Sequence, residues 1–185
     1  EWCGIYIDEQ ALPDERIKRL GEREVWASPD GIRWKCISNW RPQIADAPMC
    51  AVWNQEHGKH FIYSRPAEGD RRWTVCQTKD WQTFTDPILI LQSDGHDDPL
   101  TDLYGMPVIP YEGSYIGLVW LYHGAAHVQG ALPYKFLGGK VDCQLAYSYN
   151  GIGWQRTLRD TFIGNGDPGT PTGGCVYPMS IVKRP

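Results

Sequence analysis

The chain has 185 residues, with 18 Lys and Arg against 22 Asp and Glu for a formal net charge of −4, a length that suits one ordinary domain with a sizeable core. Its basic residues are scattered rather than gathered on one face, so nucleic acid is not an expected partner. No leader peptide, membrane-crossing stretch or low-complexity tail is visible, so no membrane partner is expected either.

Taken in chain order, apolar and polar residues alternate over strands near 2–7, 23–28, 33–38, 47–53, 58–64, 72–78, 85–92, 104–110, 114–122, 141–148, 154–158 and 175–182. Pro13–Leu20 is the best helical candidate. A short pattern recurs three times: Ser28-Pro29-Asp30-Gly31-Ile32-Arg33-Trp34, Thr78-Lys79-Asp80-Trp81-Gln82-Thr83-Phe84 and Ser148-Tyr149-Asn150-Gly151-Ile152-Gly153-Trp154. Each copy has a hydroxyl residue, Asp or Asn two positions on, and an aromatic four positions after that. Asp-Gly and Asn-Gly accept the positive φ of tight hairpin turns, and the aromatic opens the outgoing strand. The middle copy lacks the Gly, which predicts a different turn there. In all three the Asp or Asn is expected to bind backbone N–H groups rather than to do chemistry.

The repeated corner always joins the third strand of a set of four to the fourth, and repeated four-stranded antiparallel units read as an all-β propeller. The predicted blades are 1–40 (lacking its first strand), 46–93 and 102–160, with the start of another at 174–185. A closed propeller needs about four blades or more, so the chain reads as part of a larger ring, or as one whose open edges self-associate. A β-sandwich is the competing architecture.

Nine Trp and ten Tyr against four Phe is a skewed aromatic set; rings with an apolar face and a polar handle suit a sugar-binding cleft as well as a core. The cysteines, Cys3, Cys36, Cys50, Cys76, Cys143 and Cys175, lie far apart, with no Cys-x-x-Cys pair and no His at metal-ligand spacing. Neither a zinc site nor a disulfide framework is expected, and the thiols weakly favour a reducing, cytoplasmic origin.

Val25–Trp34, Arg71–Leu91, Asp102–Gly117 and Gln144–Trp154 resemble the blades of five-bladed β-propeller glycoside hydrolases of the arabinanase, xylosidase and fructosidase type. The repeated corner is also similar to a shortened sialidase Asp-box. The resemblance implies hydrolysis of a glycosidic bond in a plant or microbial oligo- or polysaccharide, with no organic cofactor. It also implies carboxylates at the starts of innermost strands acting as base or nucleophile, transition-state stabiliser and general acid. Asp46 and Asp102 hold such positions on adjacent blades, and two carboxyl groups roughly 5–10 Å apart across the scissile bond are what the reaction requires. The Arg-Asp-Pro and Glu-Cys or Glu-Gly-Pro signatures of those families are absent, which leaves the general acid without a candidate. For each Asp the alternative is a cap at a strand entry.

Other candidates lie in loops on the same side. Arg65 and Arg71 flank a charged loop and offer fixed donors to hydroxyls and carboxylates. His96 sits in the acidic turn Asp94-Gly95-His96-Asp97-Asp98, which is either solvated or an oxygen-ligand calcium site. Tyr104 follows Asp102, and His123 and His127 open the long excursion His123–Lys140, expected as a pocket-side loop. Each of these has a structural alternative: a charged surface turn, or a histidine satisfied by its neighbours. The rival functions are a non-catalytic carbohydrate- or protein-binding propeller and a sialidase-like enzyme.

Overall fold

Alternating burial makes nearly every regular element a strand. The computed structural model describes residues 4–21, 23–39, 49–66, 71–127, 136–156 and 158–181, apart from the side chains of 125–127 and 136–138. The strands form three antiparallel sheets of four strands each. Among the described residues no helix is long and apolar enough to cross a membrane.

The first sheet runs β1 (Gly4–Ile7), β2 (Ile17–Leu20), β3 (Glu24–Ser28) and β4 (Lys35–Asn39) in that order. It holds four strands rather than three, because the expected helix Pro13–Leu20 is a three-residue 3-10 turn, Pro13–Glu15, followed by β2. Pro13 fits the start of a helical turn, but from Ile17 onward Lys18 and Leu20 alternate into the core and β2 pairs with both β1 and β3. Burial on a two-residue period overrides the helical pattern.

The second sheet is β5 (Cys50–Asn54), β6 (Lys59–Ser64), β7 (Trp73–Thr78) and β8 (Ile88–Leu91). In the third, β9 (Thr101–Gly105) and β10 (Val108–Tyr111) both pair with β11 (Ser114–His127). They form one inner strand interrupted at Met106-Pro107, where Pro107 has no N–H to give the ladder. β10 turns into β11 through Glu112 and Gly113, both at positive φ as a tight hairpin requires. β12 (Phe136–Ser148) completes the sheet. Beyond it the expected strands 154–158 and 175–182 are reduced to isolated bridges, Gln155 to Tyr147 and Cys175 to Val141, with Ile163 bridging Cys143 between them. The segment is rich in Gly and Pro, which weaken or interrupt a ladder.

Two cores lie between the sheets. Leu20 and Val25 of the first sheet meet Met49, Ala51, Ile62 and Cys76 of the second. The second sheet's other face, through Phe61, Tyr63, Trp73 and Val75, meets Leu103, Val119, Leu121 and Trp154 of the third. Face-to-face stacking of successive four-stranded sheets is the blade arrangement of a β-propeller.

All three corners use the same bonds. The hydroxyls of Ser28, Thr78 and Ser148 each accept the backbone N–H three residues on, at 2.9 Å. Oδ1 of Asp30, Asp80 and Asn150 accepts the N–H groups two and three residues on, at 2.8–2.9 Å. The middle turn does not differ: Trp81 occupies the left-handed position of Gly31 and Gly151, with φ 59 against 77 and 80. Its buried indole makes up for the strain, donating to Asp8 Oδ2 at 2.7 Å and stacking on His60. Asp8 also faces Lys18 at 3.7 Å and His60 at 3.5 Å, all three nearly inaccessible. Burial holds the Lys18 and His60 values below their usual ranges.

Two substitutions test this packing by urea denaturation. Gly105→Ala places a Cβ within 2.1 Å of the Trp120 ring, so a loss of about 1–3 kcal/mol is expected. Trp81→Phe keeps the ring but removes a donor from buried Asp8, for a loss of about 1–3 kcal/mol. Unchanged midpoints would remove these contacts from the account.

Candidate functional site

The inner strand of the third sheet starts at Thr101, and at that end lie the last residues of β6, the first of β7 and the β11/β12 arm. Asp102 sits on this strand, 5% exposed. Arg71, just before β7, donates from Nη1 to Asp102 Oδ2 at 2.8 Å, and its carbonyl accepts the Leu103 N–H at 3.1 Å. One residue of the second sheet therefore holds both the side chain and the backbone of the inner strand of the third. The Arg71 guanidinium lies 5.3 Å from the Tyr104 ring centroid and 4.8 Å from that of Tyr122, and buried Arg65 lies 5.1 Å from Tyr104. Tyr177 also reaches Tyr104, with centroids 6.1 Å apart.

Asp102, Arg71, Arg65 and Tyr104 are thus brought together, and Tyr122 and Tyr177 join them. A carboxylate with a guanidinium at 2.8 Å is suited to carrying charge during a reaction and poorly suited to delivering a proton. Aromatic rings stacked on guanidiniums leave a flat amphipathic surface of the kind that packs against sugar rings.

His123 is placed elsewhere. Tyr122 pairs with Asp102 and His123 with Thr101, so His123 points to the opposite face of the sheet. There Nε2 meets Asp142 Oδ1 at 3.1 Å, and Thr161 donates to the other oxygen of Asp142. The hydrogen bond to Asp142 raises the His123 value above its ordinary 6.5, against the opposing effect of burial and with help from the charges of Asp142, Asp98 and Asp97. The described ends of the excursion expected as a loop, 123–127 and 136–140, instead continue β11 and β12, with His123 opposite Lys140 and His127 opposite Phe136. Gly139 permits this, since a Cβ there would lie 2.4 Å from the His123 carbonyl oxygen. His127 stands on this arm, and its side chain lies outside the described residues.

The acidic turn is tied down by cations of the protein itself. Arg156, almost fully buried, donates to Asp97 at 2.8 Å, and Arg159 donates to Asp94 at 2.9 Å and to Asp97 at 3.3 Å. The Arg159 hydrogen bond holds Asp94 down at about 2. Asp97 is also held below the usual carboxylate range, burial pushing it up and the Arg156 bond overcoming that. Arg159 takes a left-handed backbone, φ 54, while its carbonyl accepts from Gln144. The His96 side chain is exposed at the tip, and its backbone N–H donates to Asp94. Among the described residues no group of three or more His, Cys, Asp or Glu could hold a metal ion. Asp46 lies outside the described residues.

Sequence reasoning missed Tyr122, Asp142, Arg156, Arg159 and Tyr177. Asp142 could have been found by extending the β11/β12 pairing past Tyr122, which puts it diagonally across from His123. The two arginines carry no local signal, being 59 or more residues from their partners.

No protein-family model matches this sequence, and no curated protein matches it. Among solved structures, the α-L-arabinanase of Penicillium chrysogenum complexed with arabinobiose matches 89% of this chain at 12% identity, with a TM-score of 0.56. The α-L-arabinofuranosidase of Fusarium graminearum with an iminosugar inhibitor matches 91% at 13% identity, and the GH93 α-L-arabinofuranosidase of that organism with arabinobiose matches 88% at 13%, each with a TM-score of 0.50. The chain spans about half of those proteins, 53%, 45% and 47% of their lengths. At such identities the likeness establishes the β-propeller fold that these glycoside hydrolases share.

The His123 pair has a measurable consequence. A raised histidine value means that the pair stabilises the fold fully below pH 6.5 and loses that contribution as pH rises through the folded value. In histidine-labelled NMR, His123 is expected to titrate above 6.5 and to move back down in Asp142→Asn. Equal values in the two proteins would rule the interaction out.

Proposed function

We propose that the protein is a glycoside hydrolase acting on an oligo- or polysaccharide, with arabinose-containing glycans the first class to test. The reading rests on one observation, the carboxylate of Asp102 near the start of an inner strand, clamped by Arg71, which also lies against Tyr104 and Tyr122. It is supported by the fold shared with arabinan-degrading enzymes. The five-bladed arabinanase-type ancestry suggested by the sequence belongs to the same proposal.

In this reading Asp102, paired with Arg71, serves as base, nucleophile or stabiliser of the positive charge that develops on the sugar, and Asp46, outside the described residues, is the second carboxylate candidate. The general acid comes from another residue, because a carboxyl group must be kept protonated by its surroundings to donate. Arg65 and Tyr104 bind sugar hydroxyls and ring faces, while His96, His123 and His127 belong to the rim rather than to the reacting centre.

The test is hydrolysis of aryl α-L-arabinofuranosides and of arabinan by the protein and by Asp102→Asn and Arg71→Ala. Asp102→Asn is expected to lower kcat by about 10²–10⁴ while leaving oligosaccharide binding measurable by calorimetry. Arg71→Ala is expected to lower kcat less and to shift its pH profile. Full activity in Asp102→Asn would overturn the reading, and binding without hydrolysis in the unaltered protein would favour a carbohydrate-binding propeller instead.

A further inference from the structure

The innermost strands of the three sheets stand side by side along one side of the stack. β1 abuts β5 so closely that a Cβ on Gly4 would collide with the Met49 carbonyl. β5 meets the third sheet through Cys50, whose thiol donates to the Met106 carbonyl at 3.7 Å and accepts the Val108 N–H at 3.3 Å. Inner strands of a β-propeller line its central channel, and here they wall a cavity of about 730 Å³ to which all three sheets contribute, through Tyr6 and Ile7 of β1, Trp53 of β5 and Tyr111 of β10. A sheet added at either end of the stack would stand beside this wall and extend it rather than cover it.

The cavity lies at the far end of these strands from Asp102. Asp102 stands near the start of the third sheet's inner strand, whereas the cavity takes Val108–Tyr111, the hairpin after them and Tyr149 of the third corner, roughly 20 Å further on at about 3.3 Å per residue. Trp53, Tyr111, Tyr115 and Tyr149 line it, and Tyr111 and Tyr149 are 47% and 76% exposed. Its polar side chains are carboxylates, amides and hydroxyls, such as Glu56, Glu112, Gln55 and Ser114, and no Lys, Arg or His is among the described residues that line it. Burial, with the charge of Glu56, raises the Tyr115 hydroxyl above its usual range, so it stays protonated and able to donate.

We propose that this cavity is a second binding site, for a neutral oligosaccharide, separate from the site around Asp102. Its volume is that of a small-ligand site. A sugar ring offers an apolar C–H face to the aromatic side chains and, around its edge, hydroxyls that both donate to carboxylates and amides and accept from tyrosines. An anion, whether an acidic sugar or a phosphate, would meet glutamates and no basic partner. An ammonium ion would be drawn only by Glu9, Glu56 and Glu112, all exposed, where water and salt screen the attraction, and it would leave the amides and hydroxyls without a role. Such a site holds a glycan without cutting it and needs no chemistry at Asp102.

Two indoles report on the two ends of the channel separately: Trp53 lines the cavity, and Trp120 lies in the sheet that carries Asp102, against Tyr177. In NMR of nitrogen-labelled protein titrated with arabinotriose, xylotriose and cellotriose, the Trp53 signal is expected to move with at least one of the sugars, in the unaltered protein and in Asp102→Asn alike. Tyr111→Ala and Tyr149→Ala are each expected to weaken that binding about fivefold or more and to leave the hydrolysis of a small aryl arabinofuranoside unchanged. Both positions are exposed, and near-ultraviolet circular dichroism verifies that each variant keeps its fold. A Trp53 signal that stays in place with all three sugars overturns the proposal, whatever happens at Asp102. So does a signal that moves equally in both tyrosine variants, because the rings are then not the binding surface. Movement with spermidine and with none of the sugars also overturns it, and makes the cavity an ammonium site.

Discussion

The structure depends on one arrangement, the docking of the second and third corners on the sheet before each: Trp81 and Gln82 on Asp8 and Ile37, and Trp154 and the Asn150 and Gly151 carbonyls on Tyr63 and Asn54. A four-stranded sheet buries two faces, and neither is stable in water alone. The corner supplies register between sheets, because its internal acceptors hold the loop rigid and its aromatic and carbonyl groups meet fixed partners next door. Asp30, which accepts two backbone N–H groups and an Arg33 side chain, is the extreme case of internal rigidity, and these bonds hold its carboxyl well below the usual carboxylate range. Rigid corners make the stacking of successive sheets a repetition of one contact, which is why the second and third sheets find their neighbours by the same geometry despite unrelated sequences.

Where the contact is not apolar it is made of hydrogen-bonded polar and ionisable groups. Asp8, Lys18 and His60 are buried between the first and second sheets, and Asp97 with Arg156 between the second and third. Burying such charges costs several kcal/mol per ion, returned when every lone pair and proton finds a partner. Asp8 is satisfied by the Trp81 indole, Lys18 and the Gln10 backbone. Arg156 donates from its terminal nitrogens to Asp97 and Gln144, while its buried Nε meets no acceptor among the described residues. Such groups stabilise little compared with apolar side chains of the same size, but they tolerate no other register, and in a stack of similar sheets register is the property most exposed to error.

Repetition also decided what could be read in the sequence. The corners, the strands beside them and the stacked-sheet architecture were legible because each rests on neighbours within seven residues. The turn at Trp81 was misread as different because its strain is offset by Asp8, 73 residues away. Strand β2 was misread as helical because the burial of Lys18 and Leu20 depends on a sheet that the local pattern does not show. The Asp94 turn presented the same difficulty: its acids were visible, while Arg156 and Arg159, which satisfy them, were two among many scattered basic residues. At the candidate site, Asp102 was legible from its place at a strand entry. Its pairing with Arg71 depends on the loop before β7 crossing to the next sheet.

The third sheet separates two kinds of chemistry by the alternation of its strands. Asp102, Tyr104 and Tyr122 project from one face, and His123 and Asp142 from the other, although His123 and Tyr122 are adjacent in the chain. A one-residue shift of β11 against β9 would exchange them, putting the histidine beside Arg71 and a tyrosine beside the acidic turn. The irregularity between Trp120 and Leu121 lies two residues before this point, and Gly105, closed over by the Trp120 ring, fixes the register there. The contact between a glycine and a tryptophan therefore determines which side chains share the face of Asp102, and the packing of the sheet and the composition of the candidate site are set by the same few atoms.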